Sequence, residues 1–181
     1  VHIGGRDIVI GENLNDPDGN YYLVADCEIV AIFERYVDSV VSSDYAEIAS
    51  IFADRVSEAA KMLCEERDKL PEGAEVILTA KDCEPLGSQN LKGKVVVIKP
   101  DVMYSERQNA ACQLYIATGG NGLRADAFGT AVYCTRIYDK YETRFERYDV
   151  LGTIEPEKLP EWAKKGYEEI QKSRKNKERE R

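Results

Sequence analysis

The chain has 181 residues, 43% hydrophobic and 32% charged, with a formal net charge of −8, the make-up of an ordinary folded protein long enough for one domain. No apolar run approaches the ~20 residues of a membrane span, and no basic start, apolar middle and cleavage site mark a signal peptide. A cytoplasmic protein with no membrane partner is therefore expected.

The lone histidine, His2, lies at the N-terminus, which argues against Ser-His-Asp hydrolysis, Cys-His proteolysis and His-ligated zinc. Five scattered cysteines, Cys27, Cys64, Cys83, Cys112 and Cys134, lack the paired spacings of a disulfide framework or a metal clip, so free thiols are expected. Neither a metal nor a cofactor is predicted. Charge is uneven: residues 1–100 carry 19 acids and 10 bases, residues 101–181 carry 14 acids and 15 bases.

In chain order, Asp7–Ile10 predicts a short strand. The Asn13–Asn20 cluster then predicts a turn, since Asx side chains cap their own backbone. Its alternating Asp and Asn lack the closing Glu of a calcium loop. Tyr21–Ala25 reads as a strand that continues through Cys27–Ala31 after a bend. Phe33, Val37, Val40 and Val41 recur at helical spacing. Asp44 with Glu47 reads as a capping box, opening a helix whose stripe is Ile48, Phe52, Val56, Ala60 and Leu63. That helix is expected to run to about Lys69, before Pro71 and Gly73. Together these segments predict a helical hairpin over 32–69.

Residues 75–152 read as mainly β, with strands at Val76–Ala80, Lys94–Lys99, Gln113–Thr118, Thr130–Tyr138 and Thr143–Leu151. Asp139–Glu142 would turn the last two into a hairpin. Trp162, Tyr167 and Ile170 predict a last helix, and 171–181 a charged helix end or tail. The whole predicts an α+β fold as a single domain over 1–170. Its sheet is mixed or mainly antiparallel, drawn as a partly closed barrel, with the helical hairpin on one face and a C-terminal helix.

Two constellations carry candidate chemistry. Gly119, Gly120, Asn121 and Gly122 form a loop that could cradle a phosphate with backbone amides, with Arg124 and Asp126 nearby to bind or act on a ligand. The loop lacks the Gly-Lys-Ser/Thr of a P-loop and precedes a β run, so the dinucleotide fingerprint fails as well; a structural β-connection is the favoured reading. The second is the 131–150 hairpin, where Arg136, Arg144, Arg147 and Tyr148 lie among other aromatics. Arginine with aromatics can hold single-stranded nucleic acid by stacking and phosphate contact, although acids nearly match bases here. Paired carboxylates such as Asp26 with Glu28 are numerous, and nothing in the sequence makes them converge on a metal.

The run Leu91–Asp101, then Gln113–Gly122, Gly129–Val132 and Asp149–Gly152, resembles small accessory domains encoded on conjugative elements, plasmids and phages of Gram-positive gut bacteria. The resemblance covers about residues 90–165 and brings no catalytic residues with it. It implies a mobile-element accessory protein that counters host defence, a non-enzymatic interaction module with a host defence protein as partner. An acidic body able to block the positive channel of a nuclease is compatible with that. Nucleic-acid binding through the 131–150 hairpin is the alternative. An enzyme acting on a small molecule or nucleotide at Gly119–Asp126 is a further one, and the balance leans away from an enzyme.

Overall fold

A computed structural model of the chain describes residues 1–30 and 33–179. The fold is α+β, with three helices and two open antiparallel sheets among those residues. The described residues fall into two compact units, Val1–Lys69 and Leu70–Arg181. Neither sheet closes into a barrel. Among the described residues no helix is long and apolar enough to cross a membrane.

The first unit is an antiparallel meander of β1 (His2–Ile3), β2 (Arg6–Glu12), β3 (Tyr22–Val30) and β4 (Phe33–Ser42), followed by α1 (Tyr45–Arg67). The Asx-rich segment between β2 and β3 is a turn, in which Asn13 Oδ1 accepts from the Asn15 amide and Asp16 Oδ1 from the Asp18 amide. Helix α1 starts where Asp44 Oδ1 accepts from the Ala46 amide at 2.8 Å, satisfying one of the orphan donors of a helix start. The capping box is not reciprocal. The Glu47 carboxylate accepts from the Ser42 hydroxyl at 2.6 Å, and Ser42 Oγ in turn accepts from the Asp44 amide at 3.1 Å. The α1 stripe buries Ile48 and Ala59 against Ile8 and Val24 of the sheet.

The predicted helical hairpin is thus a strand followed by a helix; residues 31 and 32 of that stretch lie outside the described residues. The reason is a β-bulge. Val24 pairs with Val40 and Asp26 with Val37, so Asp38 and Ser39 together oppose Ala25. Asp38 takes a positive φ of 52° there, as bulges permit. The extra residue breaks the two-residue alternation and leaves Val37, Val40 and Val41 at the i, i+3, i+4 spacing of a helix. The bulge is held from below: Arg55 donates to the Asp38 carbonyl at 2.6 Å and to Asp26 Oδ1 at 3.4 Å, while Arg6 donates to Asp26 Oδ2 at 2.9 and 2.6 Å.

The second unit builds one six-stranded sheet from β5 (Glu84–Pro85), β6 (Val95–Ile98), β7 (Leu114–Gly119), β8 (Ala131–Arg136), β9 (Glu142–Glu146) and β10 (Val150–Ile154). Its spatial order is β5-β10-β6-β7-β8-β9. The all-apolar Val95–Ile98 run sits inside it with every side chain buried. Its alternate residues serve the two faces. Val95 and Val97 join Leu114, Ile116 and Ile137 under Ala163 and Ile170 of α3 (Glu161–Arg179). Val96 and Ile98 join Tyr115, Ala117, Val132 and Val150 on the other side. Each fully buried Val or Ile there contributes roughly 1.5–3 kcal/mol of transfer free energy.

Val76–Ala80, read as a strand, is irregular. Its backbone is satisfied by a short helix, α2 (Ala110–Gln113), rather than by a ladder: the Ala110 amide donates to the Val76 carbonyl at 2.7 Å. Of the predicted tail, 171–179 continue α3, and residues 180 and 181 lie outside the described residues.

Candidate functional site

The glycine loop between β7 and β8 is consumed by its own packing. Gly120 has φ +107°, and a Cβ there would lie 2.2 Å from the Ala131 carbonyl oxygen. A Cβ on Gly122 would lie 2.1 Å from that of Thr130. The chain can cross this close only without side chains. The amides are also taken: Gly122 N–H donates to the Ala131 carbonyl at 2.8 Å, and Asn121 Oδ1 accepts from the Ala131 amide at 3.1 Å. Gly119 ends β7, paired with Tyr133. The Gly122 amide a phosphate cradle would call on is therefore spent on β8, and the loop acts as a tight β-connection.

Arg124 and Asp126 stand beyond the loop and neutralise one another. Arg124 Nε donates to Asp126 Oδ1 at 2.9 Å, with both side chains about two-thirds exposed. That hydrogen bond holds the Asp126 carboxyl below its usual range. The pair borders a shallow depression of about 470 Å³ with Ser88 and Asn90.

The four hairpin residues are separated by the structure. Arg147 is a staple: its guanidinium donates to the carbonyls of Gly122 at 3.1 Å, Leu123 at 2.8 Å, Gly87 at 3.2 Å and Gln89 at 2.9 Å. It thereby locks the 87–89 loop to the 122–123 loop. Tyr148 is exposed in the turn that follows β9. Arg136 and Arg144 point to opposite faces of the sheet, because Arg144 pairs with Tyr133 while Arg136 is three residues further along β8.

On the Arg136 side lies a cleft of about 510 Å³, lined by Tyr104, Arg107, Cys112, Tyr115, Tyr141 and Phe145 among others. Arg136 is held there by Asp139, with Nε to Oδ1 at 2.8 Å and Nη2 to Oδ2 at 2.6 Å, and its guanidinium stands 5.1 Å from the Tyr141 ring centre. Nη1 points at Cys112 Sγ at 3.7 Å. Burial opposes charge on Arg136, but Asp139 together with Tyr115 and Cys112 outweighs it, so the pKa is raised. Burial also pushes the Tyr115 phenol up to about 12 and raises the Cys112 thiol, with Arg136 pulling both the other way. At neutral pH this cleft thus holds a protonated thiol and a protonated phenol, not a thiolate nucleophile.

On the Arg144 side, a groove of about 700 Å³ runs between the sheet and the later turns of α3. Tyr133, Lys140, Arg144, Ile170, Ser173 and Arg174 line it, together with Glu142. The sequence places Arg174 only within the charged helix end over 171–181, and nothing in it marks Lys140. A signal for Arg174 existed: it stands four residues after the buried Ile170, one turn along the face that packs on the sheet.

Among the described residues no three or more His, Cys, Asp and Glu side chains are placed to hold a metal ion. His2 Nδ1 lies 2.9 Å from Asp7 Oδ1 at the start of the first unit. Comparison with known proteins finds no matching family model, no matching curated protein and no matching solved structure.

Proposed function

We propose that this chain is a non-enzymatic interaction module that docks an extended, basic segment of a protein partner along β4. The observation that carries the reading is the edge of the first sheet. Among the described residues β4 pairs only with β3, so no strand lies on its other side. The bulge at Asp38, whose carbonyl is taken by Arg55, divides this edge, and Phe33–Val37 is its regular part. An open strand edge is a template for adding another strand. Proteins usually guard such an edge with charges; here Glu34 and Arg35 are engaged locally, by Tyr36 and Glu28. Phe33 is 70% exposed, Tyr36 51% and the adjoining Ile29 72%. Exposed large apolar side chains gathered on one element mark a binding surface.

Charge supports a basic partner. Residues 1–69 hold 15 acidic and 6 basic side chains, net −9, whereas residues 70–181 hold 18 and 19, net +1. The acidity of the chain thus belongs to the unit that carries the open edge. It favours a basic partner and speeds its approach at low salt. The resemblance over residues 90–165 supplies the setting, a mobile element whose accessory proteins meet host defence proteins, nuclease systems with positively charged channels included.

The test is capture from nuclease-treated lysate of a Gram-positive host by the full chain, compared with F33K/Y36K. The reading predicts a protein retained by the parent chain, released by salt and lost from the double variant. Reversing acids on α1 should weaken retention as well. Equal retention by parent and double variant, or retention indifferent to salt, contradicts it.

A further inference from the structure

We infer that the groove between β8–β9 and the later turns of α3 binds single-stranded nucleic acid, a site separate from the β4 edge. Three cationic side chains reach it from three places in the sequence: Arg144 from β9, Lys140 from the turn before it, and Arg174 from α3. Glu142 is the acid in the lining. Arg144 is paired with Glu146, and Lys140 with Glu169 at 3.1 Å. These pairs hold the cationic heads along the groove. The Lys140 pair is open to solvent, with side chains 41% and 66% exposed, so a phosphate can replace Glu169 at small cost. Glu146 is only 20% exposed and stays on Arg144, whose own side chain is 55% exposed and offers its free N–H groups to a second phosphate.

Tyr133 supplies the second element. It lies directly across the β8–β9 ladder from Arg144 and is 53% exposed. An open tyrosine ring beside an arginine offers a base a stacking face within reach of its own phosphate. Every base has such a face, so little sequence preference is expected. Along the described part of α3 the approach is basic: residues 171–176 carry Lys172, Arg174 and Lys175 and no acid. The groove differs from the hairpin surface suggested by sequence in its membership. Arg136 and Arg147 are spent elsewhere, and α3 provides the second wall.

The experiment is fluorescence anisotropy of a labelled oligothymidine about 12 nucleotides long, a length within the site sizes of single-strand grooves, with the full chain. Binding should weaken about tenfold to thirtyfold between about 50 and 200 mM salt, the slope expected for about three phosphate contacts. R144Q and R174Q should each lower the slope by about 0.7. Y133A should cost about tenfold at any salt. R124Q, in the separate depression beside Ser88 and Asn90, serves as the control and should bind like the parent; circular dichroism and unfolding curves confirm that each variant folds. A duplex of the same length should bind more weakly, since a paired base cannot stack on Tyr133. No binding by the parent at 50 mM salt overturns the assignment. Equal losses in R124Q and R174Q, or a duplex bound as tightly as the single strand, would also overturn it.

Discussion

The side-chain amide of Gln113 makes a two-way pair with the backbone of Leu78, thirty-five residues earlier. Gln113 Oε1 accepts from the Leu78 amide at 2.8 Å, and Nε2 donates back to the Leu78 carbonyl at 3.0 Å. The same Nε2 donates to the Ile98 carbonyl at 3.0 Å. Gln113 is wholly buried, so it plays the part of an absent neighbouring strand for the 76–80 segment.

Removing that amide should therefore act like breaking a ladder. Gln113→Leu keeps much of the volume and strands the Leu78 and Ile98 groups, so a loss of about 2–3 kcal/mol is expected. Urea unfolding measures it. A change within experimental error would mean that the 76–80 segment is not held by this residue.

Gly122 is predicted to be a packing position and not a ligand position. Gly122→Ala places a methyl 2.1 Å from the Thr130 carbonyl oxygen. It should destabilise the chain by about 3 kcal/mol, at the upper end for overpacking. A phosphate-cradling loop would behave otherwise, losing ligand affinity with its melting temperature intact.

The two arginines near this loop should part company. Arg147→Met abandons four carbonyls and is expected to cost about 2–4 kcal/mol. Arg124→Ala removes an exposed partner of Asp126 and should leave the unfolding midpoint where it was. Equal effects in the two variants would deny Arg147 its role as a staple.

Thiol reactivity should follow burial. Cys134 is buried, and that burial pushes its pKa up to about 12; Cys64 is exposed on α1. With a disulfide reagent at neutral pH, Cys64 should react first and Cys134 only on unfolding. Simultaneous modification of both would contradict the packing of β8 against the sheet core.

Asp139 makes the acid limb of stability informative. Burial raises its pKa, but the hydrogen bonds from Arg136 and from the Tyr141 amide outweigh burial, leaving it below the usual value. A depressed carboxyl contributes stability that is present above its unfolded pKa of about 3.9 and is lost as pH falls through the folded value. The stability gap between the parent and Asp139→Asn should accordingly be constant near neutrality and close below about pH 4. A gap unchanged down to the acid transition would show that the Arg136 pair does not stabilise the ionised form.

The α+β class, α1, α3 and the strands from β6 to β9 were legible because their apolar periods are regular and their caps and turns are local. What sequence could not show was set by single residues acting at a distance. The bulge at Asp38 turned the β4 pattern into helical spacing, so a strand read as a helix. Gln113 satisfied a segment that composition marks as β without any ladder. The glycine loop was visible, but its tight crossing over Thr130 and Ala131 depends on the fold. The basic groove was half legible: Arg144 and its aromatic neighbours stood out, whereas Arg174 joins them only because α3 packs back across the sheet.

The most direct test of the β4 edge is hydrogen–deuterium exchange of the full chain, alone and bound to the protein it captures. In the free chain, β4 amides that face away from β3 should exchange rapidly. In the complex, protection should appear along Phe33–Ser42 and leave the β6–β9 region unchanged. Protection confined to other elements, with β4 exchanging as before, would contradict docking along this edge.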